Sequence, residues 1–305
     1  MITALAGGVG AARFLTGLIQ LVRQEDLTVV VNTGDDSEFF GLHVSPDIDI
    51  VTYTLAGVVN DVEGWGVKDD TFECLNMLKR FGEIDWFNLG DRDFATSILR
   101  TKMLKSGFSL SQISAKVSHD LGLQLRILPM TDGKFTTYVQ THEGFIHFEE
   151  YLVKRAAQDA VLGIDFVGVD VVKPAVGVVE SIMVSERVII CPSNPVVSIG
   201  PILSVSGIRE SLRKSRAKKI AVSPIIAGVP VKGPADKFLC GLGVESSAFG
   251  VAELYADFLD VFVIDSADVA EKGRIEQLGV EVVVVDTLMK DLASKIALAK
   301  VVLNI

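Results

Sequence analysis

The chain opens on Ile2-Thr3-Ala4-Leu5-Ala6-Gly7-Gly8-Val9-Gly10-Ala11-Ala12-Arg13-Phe14-Leu15, and a second apolar run, Leu27-Thr28-Val29-Val30-Val31, follows soon after. Phe14, Leu15, Leu18 and Leu21 recur at helical spacings, which predicts a helix over Ala11–Val22 between strands Ile2–Ala6 and Leu27–Val31. Continuous apolar strands are the habit of sheets covered on both faces. Strand, glycine turn, helix, strand is the repeating unit of a parallel α/β sheet.

Working outward, the pattern resumes with strands at Arg187–Cys191, Ile220–Val222, Val261–Ile264 and Val280–Val285. Helices are expected at Gly207–Arg213, Ala248–Phe258 and Leu288–Leu303. Residues 37–66 are loop-rich, and helices are expected over Ile50–Val59, Thr71–Phe81, Phe94–Lys105 and Ser109–Leu121. Asp47 or Asp49 stands near the start of the first of these, and Asp69 or Asp70 is the expected cap of the second. Arg126–Pro129, Thr136–Thr141 and Gly144–Phe148 alternate like antiparallel strands. The expected architecture is α/β: a Rossmann-like parallel sheet with helices on both faces, built from 1–94 and 176–305. An inserted α+β subdomain is expected at 95–175.

The 305 residues carry 39 acidic and 29 basic side chains, a net charge of −10. Nucleic acid is excluded as a partner, because a polyanion needs a basic stripe. The densest basic stretch, Arg209 to Lys219, reads as a solvated helix end. No apolar run reaches the roughly 18 residues that span a membrane, and Met1 leads directly into a strand without a signal-peptide pattern. Cys74, Cys191 and Cys240 are scattered, and His43, His119, His142 and His147 show no zinc spacing. The expectation is a cytoplasmic, reducing location, with carboxylates, glycines and hydroxyls carrying any chemistry.

Five segments can carry it. Gly7, Gly8 and Gly10 lie where a strand meets a helix N-terminus, a place where backbone can approach phosphate. From Gly8 the pattern reads G-x-G-x-x-R, without the third glycine of a dinucleotide fingerprint, and no Walker lysine follows. Asn32-Thr33-Gly34-Asp35-Asp36 and Ser45-Pro46-Asp47-Ile48-Asp49 gather carboxylates near the end of the second strand. Such a group suits a hard divalent ion, or else serves as helix caps. Leu89-Gly90-Asp91-Arg92-Asp93 is either a salt-bridged helix start or a phosphate contact. Cys191-Pro192-Ser193-Asn194-Pro195-Val196-Val197-Ser198-Ile199-Gly200-Pro201 is stiff and rich in donors, as a loop holding a nucleotide would be. Trp65 and Trp86 read as packing residues on which a flat ligand could stack.

Taken in order, these segments resemble the 2-phospho-L-lactate transferase family of coenzyme F420 biosynthesis, together with its phosphoenolpyruvate-using relatives, over essentially the whole chain. The resemblance implies a Mg2+-dependent transfer from a GDP-linked lactyl or enolpyruvyl donor to the terminal ribityl hydroxyl of the deazaflavin Fo, releasing GMP. It implies that Asp35 and Asp49 are catalytic and hold the metal. It places the deazaflavin on Asp49, Asn88, Asp91 and Arg92. The nucleotide falls to Gly7, Gly8, Gly10, Arg13, Ser193, Asn194, Ser198 and Gly200. A homodimer is also implied. Two positions depart from the family pattern: Ile50 stands where relatives carry Thr, and Asn88 where they carry Lys or Arg. Two alternatives are a non-catalytic nucleotide-sugar-binding regulator of the related superfamily and, more remotely, a nicotinamide oxidoreductase.

Overall fold

The computed structural model describes residues 1–60 and 62–305. Seven strands form one sheet in the order Glu281–Val285, Val261–Asp265, Lys218–Val222, Arg187–Ile190, Ile2–Ala6, Leu27–Val31, Arg126–Pro129. Every neighbouring pair is parallel. The chain builds outward from Ile2–Ala6 in one direction and, from Arg187–Ile190, in the other. The crevice between these two strands is therefore the switch point at which open α/β sheets bind ligands.

The strand alternation divides the core. Leu5, Val30, Leu128, Val188, Ile190, Phe262 and Ile264 pack on one face with the helices Val178–Val184, Ile208–Lys214 and Ala248–Tyr255. Ala4, Ala6, Val29, Val31, Ile189, Ile220, Val261 and Val263 pack on the other with Gly8–Leu18, Pro46–Leu55 and Leu292–Asn304. This is the two-sided cover that the unbroken apolar strands called for.

Arg126–Pro129 departs from expectation. It is not one of a set of antiparallel strands but the parallel edge strand beside Leu27–Val31, within the stretch 95–175. Four residues leave too little alternation to distinguish the two roles. The antiparallel sheet has the order Gly144–His147, Thr136–Thr141, Gly163–Val167, and the last of these strands was not legible in the sequence. The loop-rich stretch contains a short hairpin, Ser37–Phe39 with Leu42–Val44. A third cluster of Phe39, Val44, Leu75, Phe87, Leu89 and Phe94 packs under it, with Phe39 and Phe87 stacked at 3.7 Å.

Several helix starts also differ: Gly8 for Ala11, Glu73 for Thr71, Asp91 for Phe94 and Leu292 for Leu288, and two more changes bear on the site. Pro46 opens the helix Pro46–Leu55, several residues before the expected start, because its fixed φ suits the first helical turn. Asp47 and Asp49 thereby come into that first turn. Asp70 does not cap Glu73–Arg80; its carboxylate accepts from Arg92 N at 3.0 Å, at the start of Asp91–Lys105. Asp91 takes the other role, accepting from Cys74 N at 2.9 Å and Glu73 N at 3.2 Å.

Candidate functional site

Above the switch point lies a cavity of about 320 Å³. Gly7, Gly8, Gly10 and Arg13 form one wall, Asp35 and Asp47 a second, and Ser193, Asn194 and Ser198 a third. Gly8 holds φ at +68°, and a Cβ on Gly10 would stand 2.3 Å from the Pro192 carbonyl oxygen. The glycine turn thus lets the first helix seat against the Cys191–Ser198 loop. Ser193 Oγ accepts from Gly7 N at 3.3 Å, and Asn194 Oδ1 stiffens the loop by accepting from Val196 N at 3.0 Å. Asn32 ties the wall together: its amide donates to Asp47 at 2.9 Å and to the Val197 carbonyl at 3.3 Å, while its oxygen accepts from Gly34 N at 2.8 Å.

A second cavity of about 340 Å³ adjoins the first. Val9, Pro46, Ile50, Glu149, Leu152 and Lys232 line both. Tyr53, Trp65, Phe87, Leu89 and Val153 make the second largely apolar, and Asp49, Asn88 and Asp93 join Glu149 and Lys232 as its charged and amide groups. A polar donor-lined chamber and a flat-sided apolar chamber therefore meet across one wall.

Asp35 and Asp47 line the first chamber, Asp49 and Asp93 the second, and Glu149 borders both. Burial, with the charges of Asp47, Glu149 and Asp36, pushes Asp35 far above the usual carboxylate range. Its Oδ1 has no hydrogen-bond partner among the described residues. Burial lifts Asp47 to about 6 although Asn32 donates to it. Glu149 is pushed to about 8 by burial and by Asp47 and Asp36. Asp49, expected beside Asp35 on a metal, instead ion-pairs with the buried Arg100 and lines the apolar chamber. There burial raises its carboxyl against the pull of Arg100.

Of the residues expected on the deazaflavin, Asp49 and Asn88 line the apolar chamber. Asp91 and Arg92 do not: Asp91 caps Glu73–Arg80, and the Arg92 guanidinium donates to the Lys68 carbonyl at 2.7 Å. Gly200 lies within the helix Ile199–Ser204 and lines neither chamber. The other expected nucleotide residues all line the first.

A model of the family described as 2-phospho-L-lactate transferase CofD matches residues 2–302. The chain belongs to this family. Among its relatives, the phosphoenolpyruvate transferase of Kitasatospora aureofaciens is 43% identical over 99% of this chain and 96% of its own. The 2-phospho-L-lactate transferase of Methanosarcina mazei is 41% identical over 98% of each. A crystal structure of a UPF0052-family protein from Bacillus halodurans superposes with a TM-score of 0.67 at 16% identity, over 99% of this chain and 98% of that one, and shows the shared fold.

In this member of the CofD transferase family, sequence reasoning missed Glu149, Arg100 and Lys232. Glu149 comes from the helical turn after the edge strand Gly144–His147, Arg100 from mid-helix and Lys232 from a loop, and no local pattern marks any of them. Among the described residues no helix is long and apolar enough to cross a membrane.

Proposed function

We propose that the polar chamber holds a GDP-linked donor and the apolar chamber the deazaflavin Fo. The chain then transfers the phospholactyl or enolpyruvyl phosphate group to the ribityl chain. The observation that carries this reading is the shared wall: Val9, Pro46, Ile50, Glu149, Leu152 and Lys232 border both chambers, so two ligands would meet there. The terminal ribityl hydroxyl attacks the phosphorus bearing the lactyl or enolpyruvyl group. A P–O bond forms, the bond to the GMP oxygen breaks, and the hydroxyl proton is released. The products are F420-0, or its dehydro form, and GMP. Such a step asks the protein for position and charge neutralisation rather than a nucleophile, which fits a site built of glycines, hydroxyls and carboxylates.

Glycine-turn and Ser193-loop amides would orient the diphosphate, and Arg13 and Lys232 would offset its charge. The residues fit a hard cation: Asp35 has a buried, unpartnered oxygen, and Asp47 and Glu149 add like charge beside it. Mg2+ bound by Asp35 and Asp47 would neutralise charge on the diphosphate oxygens. Among the described residues no three His, Cys, Asp or Glu side chains form a ready-made cage, in keeping with a cation that takes ligands from substrate phosphates. Asp49, held by Arg100, would receive the ribityl chain.

The test is incubation of purified protein with Fo, Mg2+ and a synthetic GDP-linked donor, followed by mass spectrometry. F420-0 or dehydro-F420-0 and GMP are the expected products. Absence of product, with tight calorimetric binding of a UDP-sugar in place of GDP, would support the regulator instead. The proposed protein acts on small molecules away from membranes, in the cytoplasm, and as a homodimer.

A further inference from the structure

The apolar chamber borders a third cavity through residues that do not line the first chamber. There Trp65, Gly66, Asn88 and Asp93 also border a polar cavity of about 360 Å³, whose other walls include Asn60, Glu63 and Asp70. Among the described residues no Lys, Arg or His lines that cavity. Asp93 is 8% exposed, and its Oδ2 accepts from Gly90 N at 3.2 Å. Its Oδ1 and the Asn88 amide form no hydrogen bond among the described residues, so a carboxylate oxygen and an amide both border the third cavity unengaged. Residues 88 and 93 come together because the Leu89–Gly90 turn leads directly into the first turn of Asp91–Lys105.

We propose that Asp93, with Asn88, reads the imide edge of the acceptor's pyrimidinedione ring and so sets which end of the tricycle faces the acidic cavity. This rests on the acceptor reading above. The imide edge presents a carbonyl, an N–H and a second carbonyl. A carboxylate accepts from the N–H while an amide NH2 donates to a flanking carbonyl. The other end of the tricycle offers one ionisable hydroxyl, whose anion would face the acidic lining of Glu63 and Asp70. Trp65 and Phe87 supply flat apolar walls for the ring between these ends.

The test measures quenching of deazaflavin fluorescence by the full chain without donor, so it does not depend on turnover. The probes are Fo, N3-methyl Fo and 8-O-methyl Fo. N3-methylation should weaken binding to the wild-type chain about tenfold or more, and 8-O-methylation only about threefold or less. Asp93→Ala should bind Fo and N3-methyl Fo alike, and Asp93→Asn, which keeps an acceptor oxygen, should recover part of the discrimination. Calorimetric GDP binding, carried by the other chamber, verifies that each variant is folded. Equal wild-type binding of Fo and N3-methyl Fo, or a larger loss on 8-O-methylation, overturns the orientation and leaves the transferase reading intact. Failure of Fo itself to bind the wild-type chain overturns both.

Discussion

Asp35, Asp47 and Glu149 are buried together, and each would be more comfortable protonated. In the unfolded chain Asp47 and Glu149 titrate near the ordinary 3.8 and 4.5; folded, they titrate near 6 and 8. A raised folded pKa means the native state binds more protons in the window between the two values. Stability from these groups is then complete below about pH 4 and is lost as pH rises through 6 and 8. The melting temperature of the metal-free protein should fall between pH 5 and 8, and Glu149→Gln should flatten the upper part of that fall; a flat wild-type profile would refute the buried-cluster reading. Added Mg2+ should raise the melting temperature more at pH 8 than at pH 5.5, since a cation takes deprotonated ligands. Asp35→Asn should abolish transfer without lowering the metal-free melting temperature, because it removes a buried group that is costly to ionise beside Asp47 and Glu149. Arg100 is the opposite case: 2% exposed and paired with Asp49, it leaves a buried carboxylate unpaired if removed. Arg100→Met should cost about 3 kcal/mol in urea unfolding, and Asp49→Asn in the same chain should return part of it.

At the scale of elements, the glycine turn is a packing requirement before it is a ligand site. A methyl at Gly10 meets the Pro192 carbonyl oxygen at 2.3 Å, and that oxygen belongs to backbone that cannot swing away. Gly10→Ala should cost about 1–3 kcal/mol and raise the donor KM, with less effect on the acceptor KM. Unchanged stability and donor KM would show that the loop yields more easily than its geometry implies. The exchange of caps between Asp70 and Asp91 makes a different prediction. Asp91 accepts from the first turn of Glu73–Arg80 and lines neither chamber, so Asp91→Ala should lower the melting temperature and leave the acceptor KM near wild type in steady-state assays.

Across the whole molecule, the sheet's switch point places two chambers side by side, each lined by elements remote from one another in sequence. The two halves of the substrate set should therefore be separable kinetically. Trp65→Ala should raise the acceptor KM about tenfold with the donor KM within about twofold, and Ser193→Ala should do the reverse. Equal effects of both variants on both substrates would mean that the chambers act as one pocket.

The parallel sheet was legible from Ile2–Ala6, Leu27–Val31 and Arg187–Ile190, because a strand covered on both faces is apolar at nearly every position rather than at alternate ones. The glycine-lined chamber was legible for a related reason: Gly7, Gly8, Gly10 and the Ser193 loop each sit directly after a strand, and in a parallel sheet strand ends share one edge. Motif spacing could not separate Asp49 from Asp35 or turn Asp91 and Arg92 away from both chambers, since those outcomes depend on Arg100, Cys74 and Lys68 arriving from elsewhere. Local residues thus determined the sheet, the glycine turn and the family of chemistry. Only the tertiary structure decided which carboxylates share a charge environment, because burial and pairing are set by side chains that meet across the fold rather than along the chain.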